Sequence, residues 1–193
     1  MDYAMLSRYC LQSTSDQTDY RKYASIAANA PSAVTPEQAA VWCYPMADST
    51  REQAIFNCVN AALLRIHQSG HFGLLSEDVR GVIREFYAFY RDIRNDIPEA
   101  LPFWPLGFAK EGDGQMAMGL RWEDRAYLAV WRLAGDPVLS LPIPHLKGKE
   151  LEVRAAFPME DSRCTMQWDP KEAVLTVSLP EEYMARVIRL TQI

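Results

Sequence analysis

Thr14-Ser15-Asp16-Gln17-Thr18-Asp19 places two carboxylates directly after Tyr9-Cys10-Leu11-Gln12-Ser13, which is short and apolar enough for a buried strand. Tyr20 to Ala30 follows at once, with the Ala, Ile and Tyr spacing of a helix. In barrels built of βα units the residues at the C-terminal ends of strands face the catalytic mouth, so a carboxyl at this position is a natural proton donor. Asp16 or Asp19 can equally cap the helix by accepting from its first N–H groups. Spacing alone leaves both roles open.

Outward from this stretch the chain has two textures. Up to Ile97 the pattern is strand, helix, strand, helix, the alternation of βα units. Ala39 to Tyr44 is a short apolar run between Pro36 and Pro45 that suits a buried parallel strand. Arg51 to Ile66 repeats apolar residues at Ile55, Val59, Ala62, Leu63 and Ile66, and Glu77 to Ile97 does so through Val79, Val82, Ile83, Phe86, Phe89, Tyr90 and Ile93. Both predict amphipathic helices, the second capped by Ser76 and stopped by Pro98. Beyond Pro98, Pro102, Pro105 and Gly107 punctuate a linker in which Phe103, Trp104 and Leu106 form a hydrophobic plug between two domains. Seven runs of β-formers follow, at 115–122, 126–133, 138–141, 151–157, 164–168, 174–179 and 186–192, separated by turn chemistry. They predict a small antiparallel β-sandwich. The division expected is 1–101 and 102–193.

The 193 residues, 49% of them hydrophobic, are enough to bury a core. A formal charge of -5 with interspersed signs offers no basic stripe, which argues against nucleic acid. No run reaches the roughly 18 apolar residues of a membrane span, and no signal pattern opens the chain, so a cytoplasmic protein is expected. Cys10, Cys43, Cys58 and Cys164 form no Cys-x-x-Cys pair and read as reduced, buried thiols. His67 and His71 stand four apart, a spacing that can present two imidazoles to a metal from one helical face. No carboxylate or Cys completes the set nearby, and Gly70 and Gly73 interrupt a helix there, so neither a metal nor a cofactor is expected. Among the tryptophans, Trp131 sits in alternating apolar sequence and is assigned to the core, while Trp104, Trp122 and Trp168 fit either a core or a sugar platform. Trp42, at a strand end, is the candidate for lining a sugar pocket, with the core reading beside it.

Ser15-Asp16-Gln17-Thr18-Asp19, Pro36-Glu37-Gln38-Ala39-Ala40-Val41-Trp42, Phe56-Asn57-Cys58-Val59-Asn60-Ala61, Ser69-Gly70-His71 and Pro102-Phe103-Trp104-Pro105-Leu106-Gly107 resemble, in the same order, motifs of the family 36 glycoside hydrolases, the melibiase-like α-galactosidases. Met1 to Leu6 is similar to the tail of a further family segment. The resemblance implies the last βα units of a (β/α)8 barrel followed by the family's C-terminal antiparallel β-domain. It implies retaining hydrolysis of terminal α-linked galactose from oligosaccharides, with Asp16 as acid/base and Ser15 and Asp19 as its motif neighbours. The donor would have its pKa raised by partial burial and a like-charged neighbour. The family nucleophile lies in a Lys-x-Asp motif, and none of the five Lys residues here begins one. The chain alone is therefore expected to lack a complete site, with strand edges exposed where a barrel would close. Homo-oligomers are implied as well. Two other readings stand beside this one: an inactive sugar-binding or structural module, and galactosyl transfer in place of hydrolysis.

Overall fold

The structure, a computed structural model, describes residues 3–193; the likeness drawn for Met1 and Asp2 lies outside them. After a short helix α1 (Tyr3–Leu6), strands and helices alternate as β1 (Gln12–Ser13), α2 (Tyr20–Asn29), β2 (Ala39–Cys43), α3 (Arg51–Ala61), β3 (Arg65–Gln68) and α4 (Glu77–Ile93). The strands pair in parallel in the order β1-β2-β3, with Ser13 opposite Ala40 and Trp42 opposite His67. The helix starts are written in side chains. Asp19 accepts from the Arg21 N–H at 3.0 Å, Thr50 and Gln53 form a reciprocal capping box, and Ser76 accepts from the Val79 N–H at 3.3 Å.

Several expectations need correction. The first strand is two residues long, not five. The helix expected over Arg51–Ile66 ends at Ala61, and Arg65 and Ile66 open β3. The apolar spacing continues through Ala62, Leu63 and Leu64 because these residues stay fully buried in the turn after the helix, which periodicity alone cannot separate from the helix itself. The second helix ends at Ile93, and Pro98 lies in a separate 3-10 turn. The parallel sheet is open: no closed barrel exists among the described residues, and the outer edges of β1 and β3 have no strand partner there. Cys10 is exposed, whereas Cys43, Cys58 and Cys164 are buried thiols. No helix among the described residues is long and apolar enough to cross a membrane.

The second half holds β4 (Leu101–Phe103), β5 (Gln115–Arg121), β6 (Arg125–Arg132), β7 (Val138–Pro142), β8 (Leu151–Phe157), β9 (Thr165–Asp169), β10 (Val174–Ser178) and β11 (Met184–Gln192). A five-stranded sheet, β4-β5-β6-β11-β8, faces a three-stranded one, β7-β10-β9, and all pairs are antiparallel. Leu128, Val130, Leu139, Leu141, Leu175, Val177 and Ile188 fill the space between them, as the alternation in the sequence predicts. The stretch read as a linker is part of this sandwich, because β4 is the edge strand beside β5. Gly119 makes that fit possible, since a Cβ there would lie 2.4 Å from the Phe103 ring. Leu106 does not plug an interface but is exposed.

The other face of the five-stranded sheet packs on the helices. Met118, Leu120, Trp131 and Val187 share one core with Phe56, Val59, Val82 and Phe86. Two polar devices fasten the layers. The fully buried Trp131 indole N–H donates to Asn60 Oδ1 at 2.9 Å, and Asn60 Nδ2 donates to the Tyr20 carbonyl at 2.9 Å. The guanidinium of Arg186, 0% exposed, donates to Glu52 at the start of α3 and to Asp161 in the β8–β9 loop, both of which also pair with Arg163.

Candidate functional site

The site is built at the C-terminal ends of the three parallel strands. On β2, Ala39, Val41 and Cys43 join the helical core; strand alternation sets Trp42 on the other face, where its half-buried ring still packs against the margin of that core. The register sets His67 beside it, and the two rings meet edge to face at 4.7 Å. Tyr44, just past the strand, stacks on Trp42 at 5.3 Å. Burial raises the Tyr44 phenol above its ordinary pKa, and the nearby Asp16 charge adds to the rise. Asp16 is therefore in electrostatic reach of this aromatic group.

The loop that carries Asp16 is held on both sides of it. Thr14 donates its N–H and its hydroxyl to the Ala40 carbonyl, each at 3.1 Å. With that hydroxyl committed, the Tyr23 hydroxyl donates to Thr14 Oγ1 at 2.7 Å and accepts from the Trp42 backbone N–H at 2.8 Å. Ser15 Oγ accepts from the Gln17 N–H at 3.2 Å, and Gln17 Oε1 accepts from the Asp19 N–H at 3.0 Å. Asp19 caps α2 and takes two further bonds from the Arg21 guanidinium, which hold its carboxyl below the usual range. Arg21 rests over the rings of Tyr20 and Tyr183. Between these fastened residues the Asp16 carboxylate is exposed and has no hydrogen-bond or ion-pair partner among the described residues.

This corrects the electrostatics expected at Asp16. Its carboxyl is not partly buried, and the neighbouring carboxylate of Asp19 is engaged by Arg21. A cleft of about 380 Å³ lined by Asp19, Arg21, Lys22, Lys110, Asp113 and Tyr183 borders the other side of the loop and leaves Asp16 out of its wall.

The tryptophans separate cleanly. Trp104 donates to the Ala28 carbonyl, Trp122 to the Asp96 carbonyl, Trp131 to Asn60 and Trp168 to the Lys149 carbonyl. Of the tryptophans only Trp42 has a buried indole nitrogen with no partner among the described residues; His67 Nδ1, one strand away, is in the same condition, as are Glu37 Oε2 and Arg132 Nη1 elsewhere. His67 stands on a strand and His71 in the loop beyond it, not together on a helix. No cluster of three or more metal-ligating side chains occurs among the described residues. The sequence reading missed Tyr23, Tyr44 and His67 as site residues, because what joins them is the parallel register and not any spacing along the chain.

A parallel βα layer backed by an antiparallel sandwich is the architecture that the comparisons with known proteins match. No protein-family model and no curated protein matches the chain. Among solved structures, the galactosidase domain of the alpha-galactosidase-sucrose kinase AgaSK is similar over 93% of this chain and 25% of its own, at TM-score 0.70 and 17% identity. The GH36 α-galactosidase AgaA from Geobacillus stearothermophilus, in complex with raffinose, is similar over the same shares at TM-score 0.68 and 14% identity. The α-galactosidase from Lactobacillus brevis is similar over 93% and 26%, at TM-score 0.68 and 12% identity. The chain thus has the fold of one part of these α-galactosidases and spans about a quarter of their length.

Proposed function

We propose that this chain is the C-terminal portion of a GH36-type α-galactosidase, made of the last units of a catalytic barrel and a β-sandwich that begins with β4, and that Asp16 is its general acid/base. The observation that carries the reading is the Asp16 carboxylate: it alone among the carboxylates of its loop is unpaired, at a strand C-terminal end, within reach of the Tyr44–Trp42–His67 group. The likeness in fold to proteins described as α-galactosidases supports the substrate class, terminal α-galactosides of oligosaccharides.

In the retaining mechanism a second carboxylate, about 5 Å from the acid, attacks the anomeric carbon while the acid protonates the departing oxygen. Water then attacks the glycosyl-enzyme as the same residue, now a base, takes its proton. Asp16 fills the acid/base role in this pair; the nucleophile would come from polypeptide beyond these residues, in cis or from another chain. A sandwich that binds sugar by itself is less well supported, because the outward residues of its three-stranded sheet, Ser140, Thr165, Gln167, Thr176 and Ser178, include no aromatic platform.

The test is hydrolysis by the nucleophile-bearing parent. Asp16→Ala should slow α-galactosides with poor leaving groups far more than those with good ones, and equal slowing would remove Asp16 from the acid role. The purified chain on its own should not turn over, so robust hydrolysis by it would overturn the division of the site.

A further inference from the structure

Four of the five tryptophans spend their indole N–H on protein acceptors, and the fifth, Trp42, does not. Its neighbour His67 also holds a buried nitrogen, Nδ1, without a partner. A buried polar atom left unpaired costs about 1–3 kcal/mol, so two such atoms in adjacent, contacting rings point to a ligand or solvent group that meets both. We propose that Trp42 Nε1 and His67 Nδ1 form a paired hydroxyl-binding subsite, which assigns to His67 the role of a sugar-contacting, specificity-determining residue. The inference rests on the galactoside reading above and adds the residue and the atoms that read the sugar.

The chemistry selects the group. The indole can only donate. His67 is held neutral more firmly than a free imidazole, first by burial and then by the Arg65 charge, so Nδ1 either accepts or donates according to tautomer. A carboxylate or a carbonyl oxygen would satisfy the indole but only one tautomer of the imidazole, and an ammonium would satisfy the imidazole but repel the indole N–H. A hydroxyl accepts from Trp42 and meets His67 in either tautomer. Position agrees with this. Both rings share one sheet face, and Tyr44, stacked on Trp42, connects them to the surroundings of Asp16. The pair is therefore linked through Tyr44 to the neighbourhood of the carboxylate that would meet the glycosidic oxygen.

The experiment is titration of the 15N-labelled chain with galactose, up to its solubility limit, followed by NMR. The Trp42 indole N–H, assigned by its loss in Trp42→Phe, should move downfield while the other four indole signals stay in place. The Gln17 and Asp19 amides should move with it, since they flank Asp16. His67→Ala should weaken galactose about tenfold, the loss of one good hydrogen bond, while His67→Asn, whose amide can stand in for Nδ1, should stay within about threefold. Movement of the Gln17 and Asp19 amides with an unmoved Trp42 indole, or equal affinity for His67→Ala and the unmutated chain, would overturn the subsite and leave the acid/base reading standing. No movement of any signal would likewise overturn the subsite, while the acid/base reading is decided separately by the leaving-group dependence of Asp16→Ala in the parent. Should His67→Ala fail to fold, the indole shift in the unmutated chain and the Asn variant decide.

Discussion

Replacing Arg186 with Met keeps the length and most of the volume of the side chain but removes its charge from a site with no solvent exposure. In the native arrangement Arg186 donates to Glu52 at 2.5 and 3.1 Å and to Asp161 at 2.5 Å, while Glu52 and Asp161 are themselves only 21% and 7% exposed. Removing one member of such a buried pair typically costs about 3–5 kcal/mol, because the carboxylates stay buried without their cation. Arg163 remains close to both, 2.7 Å from Glu52 and 3.3 Å from Asp161, and is 42% exposed, so it can partly take over. The expected loss is therefore at the low end, about 3 kcal/mol. Urea unfolding followed by circular dichroism should show a lower midpoint with an unchanged slope. The pH dependence gives a second reading. Burial works to raise the Asp161 carboxyl, but the Arg163 backbone N–H and the Arg186 guanidinium outweigh it and hold the group below its ordinary value. A depressed carboxylate contributes stability that is present above the unfolded pKa, about 3.9, and is lost as pH falls through the lower folded value. The advantage of Arg186 over Met should thus be constant from about pH 5 upward and shrink below about pH 4. A loss under about 1 kcal/mol at neutral pH, the size of a surface pair, would refute the reasoning.

Tyr23→Phe removes the hydroxyl that receives the Trp42 N–H and donates to Thr14, and should cost about 1–3 kcal/mol; amide exchange of Trp42 measured by NMR should speed up while that of β11 does not. Gly70→Ala should perturb the rim, because Gly70 has φ 108° and a Cβ there would lie 2.1 Å from the Pro45 carbonyl oxygen. Its effect should appear in the Tyr44 and Ser69 amide signals and as a lower melting temperature; an unchanged melt would mean that the two loops do not touch. Asn60→Ala leaves the buried Trp131 N–H without a partner and removes the bond to the Tyr20 carbonyl, and should destabilise by about 1–3 kcal/mol in urea titration, whereas a loss below about 0.5 kcal/mol would show that Asn60 does not fasten the layers.

The sandwich strands were readable from the sequence because each buries one face, and a half-buried strand writes that fact as alternation: Val174-Leu175-Thr176-Val177-Ser178 is the clearest example. β2 was readable for the opposite reason, as a continuous apolar run between prolines. β3 was not, since Arg65-Ile66-His67-Gln68 carries polar side chains on the face turned from the helices and follows α3 after a buried turn that prolongs helical periodicity. β4 was hidden by its prolines, which mark a linker until one sees that it is an edge strand, where proline is tolerated. At the site, the run containing Asp16 and the position of Trp42 were visible in the sequence. The exposure of the Asp16 carboxyl and the company of Tyr23, Tyr44 and His67 were not, because both depend on which strand lies beside which.

Side chains and loops of the sandwich grip the helices: Arg163 and Arg186 hold Glu52 at the head of α3, Tyr183 lies against Arg21 at the head of α2, and the Met159 N–H donates to Glu85 halfway along α4. Each of these helix heads follows one of the loops at the strand ends. A chimera that grafted a sandwich from a distant relative onto this βα layer would therefore inherit a mismatched set of anchors unless Arg21, Glu52 and Glu85 were exchanged along with it. The module boundary that matters to an engineer runs through these handholds, and not along the backbone between the two halves.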